Sequence, residues 1–427
     1  MTISRRTFLK STAAIAPVIV SASALGNPNS TAPNDRINVA MIGCGKMAND
    51  YHIPQLLAQS DVQLVAVCEV DQKRRERAKG RVEAKYSSAK TDYKGCETYV
   101  DFRKIIERSD IDAICIAAPD HWHAIPIIEA CKSGKDVYCE KPLTLTIEEA
   151  KRCIEAARKY KRVVQTGSQQ RSNVFGPFRE AVEIIRSGRL GKIHRVTVGV
   201  GAPSIPCDLP GEELEPDLAW DMWLGQAPLR PYNSILSPRG THNHFPAWRN
   251  YREYSGGGHT DMGAHHYDIA QWALNMDESG PVEIIPPDDP KATSGVRFIY
   301  ANGVEMVHGG PSGCTFHGEN GTLHIDRGRL TSDPEDIVKT PLGEDDVHLP
   351  KSPGHHRNWL DCIKSREAPV AEVEKGARTV SIIHLGNLAY WNQKRLKWNP
   401  KRWEFADAAD NHLLDRQRRD PWRLPDV

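Results

Sequence analysis

The stretch GGGHTDMGAHHYDIAQWAL, residues 256–274, sets His259, Asp261, His265 and His266 behind three glycines. Imidazoles and a carboxylate at this spacing suit either a metal ion, through His259, Asp261 and His265, or proton transfer near neutral pH. Helical spacing separates the residues. Asp261 and His265 are four apart and share a face with Asp268, whereas Met262, His266, Ile269 and Ala273 fall on the neighbouring, apolar face. That pattern makes His265, with Asp261, the candidate for chemistry and gives His266 to the core.

A second set of residues points to a nucleotide. Gly43-Cys44-Gly45-Lys46-Met47-Ala48 follows the apolar run INVAMIG and forms a G-x-G-x-x-A turn. Such a turn, leading from a strand into a helix, brings backbone amides close to a pyrophosphate, whose charge then faces the helix N-terminus. Cofactor contacts are therefore expected at Gly43, Gly45, Lys46, Met47 and Ala48. Glu69 ends the next apolar run, LVAVCEV, where a carboxylate accepts hydrogen bonds from a ribose. A carboxylate there repels a 2′-phosphate, which favours NAD over NADP. Lys73, Arg74 and Arg75 follow closely and could hold that phosphate, but their place on a charged helix reads first as a solvated face. AAPDHWHA (117–124) and CEKP (139–142) also end apolar runs, so Pro119, Asp120, His123, Glu140 and Lys141 are expected to face the same crevice. Nicotinamide chemistry needs no metal and the cysteines supply no partner ligand, so no metal is expected.

The elements that must position these groups change character along the chain. From Ile37, apolar runs alternate with helical patterns, which predicts a parallel sheet covered on both faces, a Rossmann domain over 35–160. Beyond it KIHRVTVGVG, GVRFIYANG, VEMVHGG and CTFHGENGTLHI are alternating and punctuated by Gly and Asn turns. These predict an α+β domain over 161–398 with a large, mostly antiparallel sheet. A tail, 399–427, mixes Trp with charge and reads as a segment packed across the body or onto a partner subunit.

In this order the G-x-G-x-x-A turn, P-D-x-x-H, E-K-P and the later D-x-x-x-H resemble the Gfo/Idh/MocA oxidoreductases, the family of glucose-fructose oxidoreductase and inositol dehydrogenase. The resemblance covers roughly residues 37–395 and implies that Lys141, Asp261 and His265 correspond to a catalytic Lys, Asp and His. It implies oxidation of a secondary hydroxyl of a sugar, cyclitol or glycoside, with a base taking the hydroxyl proton. Which of His265 and Lys141 accepts it stays open. Gln169, Arg171, His242, His244 and Trp248, upstream of the catalytic helix, are candidates for a sugar pocket. The resemblance also implies a dimer or tetramer. Two other readings stand beside it: an NAD-dependent glycosidase or epimerase acting through transient sugar oxidation, and a non-enzymatic sugar-binding protein.

The first residues bear on where this chemistry occurs. Arg5 and Arg6 in SRRTFLK, an apolar stretch from Ala13 to Val20 and Ala22-Ser23-Ala24 read as a twin-arginine export signal with a cleavage site. Residues 1–34 are then signal and polar linker, and the protein acts in the periplasm or otherwise outside the cytoplasm. Export in the folded state implies a nucleotide loaded beforehand and recycled within each cycle. With 56 Lys+Arg against 55 Asp+Glu, and no basic stripe interleaved with aromatics, a nucleic-acid partner is not expected. The ten cysteines follow no pairing pattern and several lie in apolar runs, so free buried thiols are expected.

Overall fold

The computed structural model describes residues 35–87 and 94–427; the twin-arginine signal and the linker fall on 1–34, outside the described residues. The chain enters the fold at β1 (Ile37–Ile42), followed by β2 (Val62–Cys68), β3 (Glu97–Tyr99), β4 (Ala113–Ile116), β5 (Asp136–Cys139) and β6 (Val164–Thr166). These pair in parallel in the order β3-β2-β1-β4-β5-β6. Every residue of β4 and β5 is buried, because helices cover both faces and leave no side of the strand for a polar residue. Helices α1 (Gln72–Tyr86), α2 (Ala124–Lys132) and α3 (Ile147–Lys159) make the crossovers. Their starts are written in the sequence. The Asp71 carboxylate accepts the Arg74 N–H at 2.9 Å, and the Thr146 hydroxyl accepts the Glu149 N–H at 3.1 Å while Glu149 reaches back to the Leu145 N–H. Strand order reverses between β2-β1 and β4, and the crevice beyond their carboxyl ends is where such sheets bind ligands.

The second sheet has eight strands: β7 (Ile193–Gly199), β8 (Glu283–Ile285), β9 (Arg297–Ile299), β10 (Glu305–Gly318), β11 (Gly321–Asp326), β12 (Arg329–Asp333), β13 (Leu396–Asn399) and β14 (Glu404–Phe405). Its order is β12-β11-β10-β9-β8-β13-β14 with β7 paired to β10, and all these pairs are antiparallel. One difference from expectation concerns Gly309-Gly310-Pro311, where a turn is the natural reading. β10 instead runs through it as one long strand. Gly310 takes φ +91°, and a Cβ on the facing Gly199 would lie 1.9 Å from Pro311 O, so glycines on both sides let the irregular segment stay in the sheet.

Helices α4 (Phe178–Arg186), α5 (Gly263–Ala273), α6 (His355–Ser365) and α7 (Val373–Asn392) complete the fold. Tyr267, Phe298, Phe316, Ile325, Ile383 and Leu385 meet in the core between this sheet and its helices, each burial contributing about 1.5–3 kcal/mol. The Rossmann unit does not stop at residue 160, since β6 lies beyond it. Its covering is also not contiguous in sequence. Trp359 and Leu360 of α6 pack with Val39, Met41 and Leu64, while Val373, Ala377 and Val380 of α7 join Ile114, Ile116 and Val137. The tail is stitched across the body: Trp422 is buried against Trp122, Arg418 lies 3.0 Å from Glu149, and Arg419 lies 2.6 Å from Asp221. All ten cysteines are free thiols, and all but Cys207 are buried. Among the described residues no helix is long and apolar enough to cross a membrane.

Candidate active site

The turn after β1 packs where only glycine fits. Gly43 has φ +83°, and a Cβ there would lie 2.6 Å from Ala118 N and 2.7 Å from Ala117 O. At Gly45 a Cβ would meet nothing within 4 Å, so this side of the turn is open to a ligand. It faces a cleft that Lys46, Met47, Glu69 and Pro119 line from the sheet side, and His242, Phe245, Trp248 and Arg249 from the other. Ala48 is buried and begins the helical run behind the turn. Glu69 accepts the Cys44 N–H on Oε2 at 2.7 Å and the Asp71 N–H on Oε1 at 3.1 Å, and each oxygen keeps a lone pair for a ribose hydroxyl. An adenine dinucleotide therefore fits this cradle. The basic residues of α1 are engaged elsewhere: Lys73 lies 3.2 Å from Glu215, and Arg75 donates to Glu69 O. Arg74 is a correction. It is buried, not solvated, and donates to Gly240 O, Ser237 Oγ and Pro238 O, holding the loop that covers the cleft.

The P-D-x-x-H and E-K-P stretches divide their residues between surface and support, so the expectation that all five face the crevice is corrected. Pro119 lines the cleft. His123 is buried and turns to backbone, with Nδ1 2.7 Å from Pro142 O and Nε2 2.9 Å from Ala118 O, which ties the two stretches together. Glu140 lies beneath them, 3.0 Å from His52 Nε2, accepting from Gln169 Nε2 at 2.6 Å and from the Lys141 N–H at 3.1 Å. Burial pushes against its charge, but His52 and Lys141 outweigh it and hold the carboxyl below its usual range. Asp120 is 3% exposed and accepts the Ser255 hydroxyl at 2.6 Å.

Burial drives the Asp120 carboxyl up to about 7 despite that hydrogen bond and the Arg249 charge. The unfolded chain releases this proton near 3.9, so between there and about 7 the folded protein binds more protons and loses stability as pH rises, by up to about 4 kcal/mol. Asp120→Asn is expected to remove that loss. Denaturant unfolding should show the variant gaining on the natural protein between about pH 4 and about pH 7, and a difference independent of pH would refute it.

Lys141 Nζ donates to Asp261 Oδ1 at 2.7 Å and to Asp261 O at 2.9 Å, across the domain boundary. Arg249 Nε lies 3.6 Å from the same Oδ1. Burial alone raises the Asp261 carboxyl, but the two cations overcome it and hold the group ionised below its usual range. The helix expected over this stretch is broken: a single turn, Gly258–Asp261, is joined through Met262 to α5. Asp261 closes the turn and His265 stands in the first turn of α5. The His265 ring makes no hydrogen bond among the described residues, and its Nδ1 is buried without a partner. Burial, then Lys141 and Arg327, push its proton affinity well below that of an ordinary histidine. His266 is buried, with Nε2 3.5 Å from Asp326 Oδ1. His259 spends both nitrogens in the core, Nδ1 2.8 Å from Asn387 Oδ1 and Nε2 3.0 Å from the Tyr267 hydroxyl. Among the described residues no group of His, Cys, Asp and Glu is arranged to hold a metal.

The sugar-pocket candidates scatter. Gln169 is buried and donates to the Tyr138 hydroxyl and to Glu140, so it supports E-K-P from below. Arg171 is 1% exposed at its side chain and forms ion pairs with Asp268 and Asp277, a core cross-link. His242 lines the nucleotide cleft, with burial lowering it to about 4, and its Nδ1 contacts the carbonyl of the exposed His244. Trp248 is buried under the Arg249 guanidinium at 4.2 Å. Sequence reasoning missed Arg249 and Arg327, whose flanks carry no motif, and His52, whose Nδ1 lies 2.9 Å from His356 Nε2.

A family model described as oxidoreductase family, NAD-binding Rossmann fold (Gfo/Idh/MocA), matches residues 37–168, and that of the family's C-terminal alpha/beta domain matches residues 204–424. The chain is similar to inositol 2-dehydrogenase 4 of Saccharopolyspora erythraea, 33% identical over 161 residues, 37% of this chain and 44% of that protein. It is also similar to a glycosyl hydrolase family 109 protein of Shewanella, 30% identical over 174 residues, 37% of each chain. It thus spans less than half the length of these curated relatives. The crystal structure of an aldose-aldose oxidoreductase from Caulobacter crescentus, complexed with glycerol, superposes with a TM-score of 0.58 at 17% identity, covering 85% of this chain and 100% of that one; the likeness is one of fold.

Proposed function

The chain belongs to the Gfo/Idh/MocA oxidoreductase family, and we propose that it oxidises a secondary hydroxyl of a sugar, cyclitol or glycoside with NAD. The observation that carries the proposal is the Lys141–Asp261 contact, reached through Arg249, which lies 3.6 Å from Asp261 and lines a crevice fitted for a dinucleotide. Bound NAD supplies a hydride acceptor. An ammonium has three donors, and Lys141 spends two on Asp261, so the third is left for the substrate oxygen and stabilises the alkoxide as it forms. His265, neutral at physiological pH because burial and its cationic neighbours oppose its charge, takes the hydroxyl proton. Asp261 holds Lys141 in place. Glu69, and the prior engagement of Lys73, Arg74 and Arg75, favour NAD over NADP. Assembly as a dimer or tetramer completes this reading.

With the twin-arginine signal, the proposal places the enzyme in the periplasm, where no pool of free NAD replaces a reduced cofactor. The nucleotide is then bound before export, held through many turnovers, and returned to its starting state within each cycle. Protein purified without added nucleotide is expected to release near-stoichiometric NAD(H) on denaturation and to turn over with none supplied. Recovery of empty protein that consumes added NAD would leave an ordinary dehydrogenase. The similarity to a family 109 glycosyl hydrolase favours a second reading on the same site, in which transient oxidation acidifies the neighbouring C–H and permits elimination of a glycosidic group. Release of the aglycone with no net change in nicotinamide absorbance distinguishes it.

A further inference from the structure

A second cavity shares no lining residue with the nucleotide cleft. Leu145 and Ile147 at the start of α3, Leu388 and Trp391 of α7, and Leu413 of the tail give it an apolar wall, and Arg252 and Arg416 stand in the same lining. Leu145 lies on the stretch that begins at Lys141, and Gly256, also in the lining, lies on the one that leads to Asp261. The cavity thus adjoins both segments that carry the catalytic pair.

Its two arginines are left with donors to spare. Arg416 donates from Nη1 to Glu253 O at 2.8 Å, but its Nε and Nη2 are buried with no hydrogen-bond partner, and it forms no ion pair among the described residues. Those two nitrogens are one edge of the guanidinium, whose parallel N–H bonds match the two oxygens of a carboxylate. Charged donors buried and unmet are costly, so this edge calls for an acceptor. Arg252 is exposed, rests on the Trp391 ring at 4.1 Å, and has no ion-pair or side-chain hydrogen-bond partner among the described residues.

The carboxylates of the lining are already taken. Both Glu253 oxygens accept the Cys207 N–H, at 3.2 and 3.1 Å, and each Asp415 oxygen accepts from Arg418 at 2.7 Å. The neutral polar groups are taken too. The Thr146 hydroxyl donates to Asp415 at 3.1 Å and accepts the Glu149 N–H, His384 Nε2 lies 3.0 Å from Thr144 O, and Trp391 Nε1 donates to Ser204 O at 3.0 Å. A polyhydroxylated ring would find few partners in this lining, whereas an anion with a hydrocarbon body meets both of its features.

We infer that this cavity is a second small-molecule site, which takes an apolar carboxylate. Its two oxygens sit on the Nε–Nη2 edge of Arg416, Arg252 adds positive charge, and the hydrocarbon part packs on Leu145, Leu388 and Leu413. The site goes beyond the sugar oxidation proposed for the nucleotide cleft and does not depend on it.

The test is calorimetric binding to the full protein, saturated with NAD, of benzoate and hexanoate, of their neutral amides benzamide and hexanamide, and of acetate and inorganic phosphate. At least one of the two apolar carboxylates is expected to bind about tenfold or more tightly than its amide and than acetate. Arg416→Gln should erase the margin over the amide, and Arg252→Gln, at an exposed position, should narrow it by about threefold. Amides that match the carboxylates would leave only an apolar cavity, and acetate or phosphate matching them would leave only a bare anion site; either result overturns the inference. So would no binding of either carboxylate, release of the nucleotide as they bind, or a margin that survives Arg416→Gln. Where Arg416→Gln folds poorly, Arg252→Gln decides in its place, and an unchanged margin there overturns the site. Turnover is not read, so failure of the sugar-oxidation proposal would leave these results standing.

Discussion

Lys141→Ala and His265→Ala are each expected to lower kcat/KM by about 10²-fold or more, the usual scale for losing positioned acid–base or alkoxide-stabilising help. Nucleotide affinity should change little, because the Gly43–Gly45 turn and Glu69 make their contacts without Lys141. A pH profile separates chemistry from mere structure. Burial lowers the proton affinity of His265 first, and Lys141 lowers it next. Removing that cation raises His265, so the residual activity of Lys141→Ala should fall away at a higher pH on its acid limb than that of the natural protein. His266→Ala removes a buried ring and should act through stability. Single-turnover reduction of bound nicotinamide would make the comparison, and a dispensable His265 beside an essential His266 would reverse the assignment.

Spacing from Asp261 put His265 on one helical face and His266 among Met262 and Ile269, and periodicity survives the break at Met262 because that residue keeps helical backbone angles. The parallel sheet was legible for a similar reason, since continuous apolar runs such as AICI have one stable place, buried on both faces. The G-x-G-x-x-A turn and Glu69 were legible because backbone approach demands glycine and the acid ends a strand. What escaped depends on contacts between distant segments. Nothing local says that Arg74 of a charged helix is buried by residues 237–240, or that the tail brings Trp422 onto Trp122. Arg327 escaped because the β11–β12 turn reaches α5 only once the sheet is assembled. Pocket residues were the least legible, since the same polar side chain serves a ligand or a buried network, and only the fold chooses.

Arg171 shows that choice with a large consequence. Its guanidinium donates to Asp268 Oδ1 and Oδ2 at 2.9 and 2.8 Å and to Asp277 Oδ1 and Oδ2 at 2.7 and 2.9 Å, with its face on Trp272 at 5.1 Å. Thr379 of α7 adds a hydrogen bond to Asp268 at 3.1 Å, so one arginine joins the 169–172 turn, α5, the loop after it and α7. Asp268 is so enclosed that burial raises its proton affinity even against this arginine. Arg171→Met keeps the bulk and removes the charge, leaving the buried Asp268 without its ion-pair partner and Asp277 with only the charges of Lys375 and Arg186. Breaking a buried pair in this way costs about 3–5 kcal/mol. The variant should unfold at a clearly lower temperature and denaturant concentration while its folded fraction keeps its KM. Adding Asp268→Asn removes one stranded charge, so the double variant should lose less than the sum of the two single losses. A residue of the sugar pocket would behave in the opposite way. A raised KM with unchanged unfolding, or losses that simply add, would return Arg171 to the substrate and dissolve the cross-link.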